Sequence, residues 1–463
     1  MRRSFHVDSF DKSLLLIVAF IAVIIQVMDK SFGDTLALSL GNVFPRTDIL
    51  VFGLMILISI TIQSVLIKKA REAVKIERSK STIGQTVLMI AALLQYSAAG
   101  ILVIVFFQAF FTLKYSVVLL EAILGINLIT SSVILAILSS RFVRTFRYSP
   151  TKLVFAYMVA IAALSLSGII TFIYVENFLQ RKPDSISSGY NPWASFSPVV
   201  LTDLVTVYQL IGIISFATLW IATVFLTNHY TSKSKKIKYW IIVSIPLVYF
   251  ASQFLPSLLQ HLDPLRQLGV EDNPMYSYVY NLFLNTVRTA GGIMFGFVFF
   301  ILSKTIQHSQ LKNSLIMAGI GLILIFGANA SSLIIMTPYP PWGILSATFL
   351  ITGAYSLIIG LDSAALYVAT DSSLRRVIEK SPQKDYDILK SLGHVKTQDI
   401  VINKIENIST QVYEEIQSDN LLKISSEPTN IREYIDEVLK EALKIDPNFL
   451  QKAKDRASVK DPR

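Results

Sequence analysis

The sequence predicts an all-α protein: a polytopic transmembrane helical bundle of about ten spans with a small cytoplasmic C-terminal helical domain. Three observations lead there. Of the 463 residues, 52% are hydrophobic and only 16% are charged. Apolar runs of about 20 residues, the length that crosses a hydrocarbon core about 30 Å thick, recur through residues 1–370. Beyond 370 the composition turns polar, with apolar residues at helical spacing. The net charge of +10 does not point to nucleic acid, because acids and bases nearly balance in residues 371–463. The surplus of positive charge sits in the loops between spans, where it orients the chain.

Spans are expected at 13–28, 49–67, 82–112, 115–140, 153–178, 199–227, 239–259, 277–303, 313–335 and 343–369. The start, MRRSFHVDSFDKSLLLIVAF, has the basic lead and apolar run of a signal sequence. No small-residue cleavage site follows, so it reads as an uncleaved first span. Basic residues cluster at Arg2, Arg3 and Lys12, at Lys68–Lys80, at Arg141–Lys152, at Lys233–Lys238, and at Lys304 and Lys312. The opposite side offers only Lys30, Arg46, Lys114, Arg181, Lys182 and Arg266. The positive-inside rule then places both termini in the cytoplasm, in the cell membrane. The third run, Thr82–Thr112, would be about 47 Å long as a helix. Splitting it in two would export the basic loop at 141–152, so one tilted span is expected. The loops Gly189–Pro198 and Thr337–Trp342 are rich in Pro and aromatics, as in an interfacial belt with rigid turns.

The chain divides into a bundle at 1–370 and a tail domain at 371–463. Leu361–Lys380 contains no Gly or Pro, so the last span is expected to continue unbroken out of the membrane. Ser381 and Pro382 then cap a new helix and Gly393 ends it. Val401, Ile405, Ile408, Val412 and Ile416 form one stripe of a further helix. Pro428 interrupts, Asn430–Glu433 opens another helix as a capping box, and a last one starts near Pro447. A tail this small has a limited core, which points to dimerisation or docking on a membrane-complex partner.

Arg288 is the residue that demands explanation. It lies roughly 15 Å along the eighth span from Tyr278, where an unpartnered guanidinium costs about 3 kcal/mol or more. Tyr278, Asn281, Asn285, Arg288 and Gly292 share one helical face. Glu121, about 9 Å into the fourth span, and Asp203 in the sixth are at depths where they would pair with Arg288. Thr202, Thr206, Tyr208 and Gln209 lie beside Asp203, Gln95 is mid-membrane in the third span, and Gly125 and Ser132 share a face with Glu121. This set reads as a polar cluster in the outer half of the bundle. It is either a small-molecule or ion site, or a set of bonds that fixes helix packing.

Other chemistry finds no support. The chain has no cysteine, which excludes disulfides and thiolate sites. All five histidines fall in termini, loops or the tail, so no metal or haem site is expected in the bundle. Walker, His-Glu-x2-His and Gly-x-Ser-x-Gly motifs are missing, and Asp362 lacks the context of an intramembrane protease. It reads as an interfacial charge near Lys304. His394, after Gly393, reads as a helix-end residue. Neither an enzyme nor a cofactor is expected. An unbroken rod from the last span into the tail suggests a sensor or signal transducer. A secondary transporter or channel, and a scaffold subunit of a membrane complex, are the alternatives. Two inverted halves of five spans would favour transport, but the first span contains no Gly or Pro to break it.

Overall fold

The computed structural model describes residues 4–39, 47–77, 82–179, 185–187, 201–227, 236–252, 274–306, 308–328, 340–380 and 386–418. Twelve helices are found among them. These are α1 (Ser4–Ser39), α2 (Thr47–Glu77), α3 (Thr82–Thr112), α4 (Val117–Tyr148), α5 (Lys152–Leu179), α6 (Leu201–Thr227), α7 (Lys236–Ser252), α8 (Pro274–Thr305), α9 (Ser309–Ala328), α10 (Ile344–Thr370), α11 (Ser372–Lys380) and α12 (Asp387–Ser418). Nine of the described helices, α1–α6 and α8–α10, are long and apolar enough to cross a membrane. The seventh span of the sequence reading corresponds to α7, a 17-residue helix containing Pro246, and its continuation past Ser252 lies outside the described residues. The third run is a single continuous helix.

Leu113 ends α3 in the left-handed region, with φ 55°, and the chain turns at once into a short strand. Lys114–Ser116 (β1) pairs antiparallel with Ser185–Ser187 (β2), Tyr115 opposite Ile186. This ribbon ties the α3–α4 turn to the segment after α5, a feature with no alternating pattern long enough to announce it.

The chain divides into two compact units, residues 1–364 with 382–388, and residues 365–381 with 389–463. In the first, α9 and α10 form the centre. The apolar window of α9 is 89% buried and that of α10 entirely so, against 33% for lipid-facing α3. Without a hydrophobic drive between helices in lipid, close backbone approach supplies the attraction, and small residues permit it. Gly296 of α8 and Gly319 of α9 each face the other's carbonyl, and Gly321 of α9 lies against Gly353 and Leu357 of α10. Gly360 lies against Ser314 and Ala318, so α9 packs along most of α10. A buried aromatic cluster of Phe216, Phe250, Phe295 and Phe326 joins α6, α7, α8 and α9, with Phe216 and Phe250 stacked at 3.9 Å between centroids.

In the second unit two expectations are corrected. The helix leaving the membrane is not unbroken to Lys380. Asp371 interrupts it: its Oδ1 accepts from the Ser373 and Leu374 amides at 2.9 and 3.1 Å and from the Ser373 hydroxyl at 2.6 Å. Asp371 thus caps α11, competing successfully with continued helix. Gly393 does not end a helix either; α12 runs through it. Its missing side chain is needed for packing, because a Cβ there would run into Val368. His394 is therefore an internal helical residue, 3.2 Å from Gln398 one turn on. The expected helix start at Ser381 and Pro382, and the helices at 430–433 and after Pro447, lie outside the described residues.

Candidate functional site

The polar groups that matter are held by α1, α6, α8 and α10 at one end of the bundle, here called the distal end. It holds the C-terminal end of α9 and the N-terminal end of α10. α1 carries Gln26, Asp29 and Lys30, all buried: 0%, 0% and 2% exposed. The Asp29 carboxylate accepts from the Gly343 amide at 2.9 Å, the Ser346 amide at 2.7 Å and the Ser346 hydroxyl at 2.8 Å. Gly343 directly precedes α10 and Ser346 lies in its first turn, where helix N–H groups have no partner of their own and the macrodipole favours an anion. The neighbouring Lys30 ammonium donates to the carbonyl of Gly327, in the last turn of α9. There the carbonyls are orphaned and the dipole favours a cation. One Asp–Lys dipeptide therefore complements opposite ends of two successive helices. Gln26 donates from Nε2 to the Leu324 carbonyl at 3.2 Å, one turn below. Gly327 has no side chain because Gln26 occupies its place.

Arg288 projects from α8 at the same end. Its Nη1 donates to the Tyr208 hydroxyl of α6, and its guanidinium carbon lies 4.7 Å from the centre of that ring. A cation over an aromatic face gains from the ring quadrupole, most where water is excluded. Gly212, one turn from Tyr208, leaves the room: a Cβ there would be 3.2 Å from Arg288 Nη2. The cluster thus combines Lys30, Arg288, the Asp29 carboxylate and the uncharged polar side chains of Gln26, Tyr208 and Ser346.

Sequence reasoning placed Arg288 and Tyr208 in a cluster, and the structure puts these two in direct contact. Glu121 stands apart. The face it shares with Gly125 and Ser132 packs on α5, where Phe172 covers Gly125 and Ser132 approaches Gly168. No hydrogen bond or ion pair of Glu121 occurs among the described residues. The side chains of Asp203, Asn281, Asn285 and Thr202 lie outside the described residues, so the expected Asp203–Arg288 pairing does too. Gln209 is exposed on the surface of α6. Gln95 is buried in a different network: its Nε2 donates to Gln63 Oε1 at 2.6 Å and to the Thr348 carbonyl at 3.2 Å, while Gln63 Nε2 donates to Thr348 Oγ1 at 2.7 Å. That network ties α2 and α3 to α10.

Asp29 and Lys30 were missed because they end the first apolar run and read as the start of a loop. Lys30 was counted as a loop charge, whereas α1 continues to Ser39 and buries it. The available signal was Gln26, Asp29 and Lys30 at spacings of three and four on one helical face. Asp362 pairs with Arg141 of α4 and not with Lys304. No group of His, Asp and Glu suited to a metal ion occurs among the described residues. No protein-family model, no curated protein and no solved structure matches the chain.

Proposed function

We propose that this integral membrane protein is a signal transducer, in which α10 couples the distal-end site at Asp29, Lys30 and Arg288 to the second unit. One observation carries the reading: the division between the compact units falls inside α10, at Ala364 and Ala365. A single helix thus has its first turn clamped by Asp29 and its last turn in the other unit. Any change at the clamp is delivered along a rigid element, which is what a two-state transducer requires. The basic loops support this reading, since by the positive-inside rule they favour an outward-facing distal end and cytoplasmic termini. The break at Asp371 shortens the rod without removing the link, since it comes after α10 has entered the second unit.

The absence of cysteine makes the test direct. A single cysteine replacing Leu392 on α12 is spin-labelled in lipid nanodiscs. Arg288→Gln or Asp29→Asn should alter the label's mobility, and two glycines inserted after Thr370 should abolish that response. A spectrum indifferent to both distal-end substitutions overturns the reading. A second reading, transport of a small polar solute, is favoured by the hydroxyl-bearing face of α10, and it predicts flux through proteoliposomes that is lost in Arg288→Gln.

A further inference from the structure

α10 has two unlike faces. Gly353, Leu357 and Gly360 form the face against α9. On the other side Thr348, Thr352, Tyr355, Ser356, Asp362 and Ser363 fall within an arc of about 120° at 100° per residue. Contacts at both ends fix where this arc points. Thr348 meets Gln63 of α2 and Gln95 of α3, and Asp362 meets Arg141 of α4.

Four hydroxyls on this face, those of Thr352, Tyr355, Ser356 and Ser363, are at most 2% exposed and make no hydrogen bond among the described residues. A hydroxyl on a membrane helix usually donates to the carbonyl one turn back. Thr61, Ser97, Thr171 and Thr227 do so here at 2.7–3.0 Å. Thr348 does so within α10, to Leu345, but Thr352, Ser356 and Ser363 do not. Two amide oxygens join them: Gln95 Oε1, and Asn127 Oδ1 on the face of α4 that carries Arg141, both buried without a donor.

We infer that the hydroxyl face of α10 holds a file of internal water molecules between the Gln63–Gln95–Thr348 network and the Arg141–Asp362 pair. Chemistry selects the occupant. Gln95 and Asn127 offer acceptors and need donors, which disfavours an anion. A metal ion would call for several carboxylates, and Asp362 is already engaged by Arg141. Water both donates and accepts and serves two to four buried polar partners at once. From Thr352 to Ser363 the hydroxyls extend over about 16 Å of helix, so the waters form a seam and not a single buried site. This inference does not depend on the signalling reading, and its test reads no signal.

The experiment is radiolytic footprinting of the full-length protein in nanodiscs, in which brief X-ray pulses turn bound water into hydroxyl radicals that oxidise adjacent side chains. Tyr355 should be oxidised despite its burial. Phe295, packed on Phe216 and Phe326, and Phe349, in the apolar core, are equally buried and should not. The label should incorporate heavy oxygen only after prolonged exchange into labelled water, and most of it should be lost in Thr352→Val/Ser356→Ala/Ser363→Ala. The single variant Ser356→Ala, which removes least, should lower it partially. Oxidation of Tyr355 no greater than that of Phe295 overturns the inference, as does labelling unchanged in both variants.

Discussion

The clearest quantitative consequence concerns Asp29. Replacing it with Ala leaves the Gly343 and Ser346 amides without their acceptor, while the Ser346 hydroxyl, which also donates to Asp29, keeps the Gln26 carbonyl at 3.2 Å. Each buried donor so orphaned costs about 1–3 kcal/mol, and removing one member of a buried charged set typically costs about 3–5 kcal/mol. Asp29→Ala should therefore destabilise the bundle by about 3–5 kcal/mol. Ser346→Ala removes only a hydroxyl and should cost about 1 kcal/mol. The Ser346 hydroxyl bond to Asp29 is lost in either single variant, so the double variant should fall short of additivity by about 1 kcal/mol. Asp29→Asn keeps one acceptor oxygen and should lie between wild type and Asp29→Ala. Detergent-induced unfolding of purified protein, followed by helical ellipticity, measures all four. An Asp29→Ala variant within about 0.5 kcal/mol of wild type, or strict additivity in the cycle, would refute the capping argument.

Gly296→Leu should destabilise by about 1–3 kcal/mol or prevent assembly, since its side chain must enter α9 at Gly319. Gly100→Ala, in open space on α3, should be neutral or stabilising by up to about 1 kcal/mol; unfolding midpoints compare the two. Asp371→Ala should cost about 1 kcal/mol of local helix stability and speed exchange of the Ser373 and Leu374 amides about fivefold, read by hydrogen–deuterium exchange. The Arg141–Asp362 pair is partly exposed, at 37% and 27%, so Asp362→Asn should cost less than about 1 kcal/mol, with the exchanged pair Arg141→Asp/Asp362→Arg recovering most of it.

The helices of the bundle were legible because apolar length is a strong signal, and Thr82–Thr112 was resolved as one helix by the charge of the following loop. Contacts between helices were less legible, because every apolar run offers several faces. Glu121 illustrates the limit. Its depth in the membrane follows from counting residues, but its azimuth is set by Gly125 and Gly168, which draw α4 onto α5. In the second unit local signals misled where packing overrode them. Gly393 has the composition of a terminator, yet serves as the place where Val368 can approach α12. Asp371 has good helix formers on both sides, yet its short carboxylate claims the amides of Ser373 and Leu374.

Asp29 and Lys30 show why the most informative residues escaped. Their charges nearly cancel, so they leave little trace in a count of loop charges. Their partners are backbone groups, which no sequence pattern marks. Helix ends carry partial charges of opposite sign, and the last turn of α9 and the first turn of α10 both lie within reach of α1. Adjacent residues of opposite charge on a third helix can satisfy both, provided that helix runs past both ends. α1 does so, continuing to Ser39. The same arrangement makes the first turn of α10 depend on another helix, since Asp29 is the acceptor for the Ser346 amide and hydroxyl.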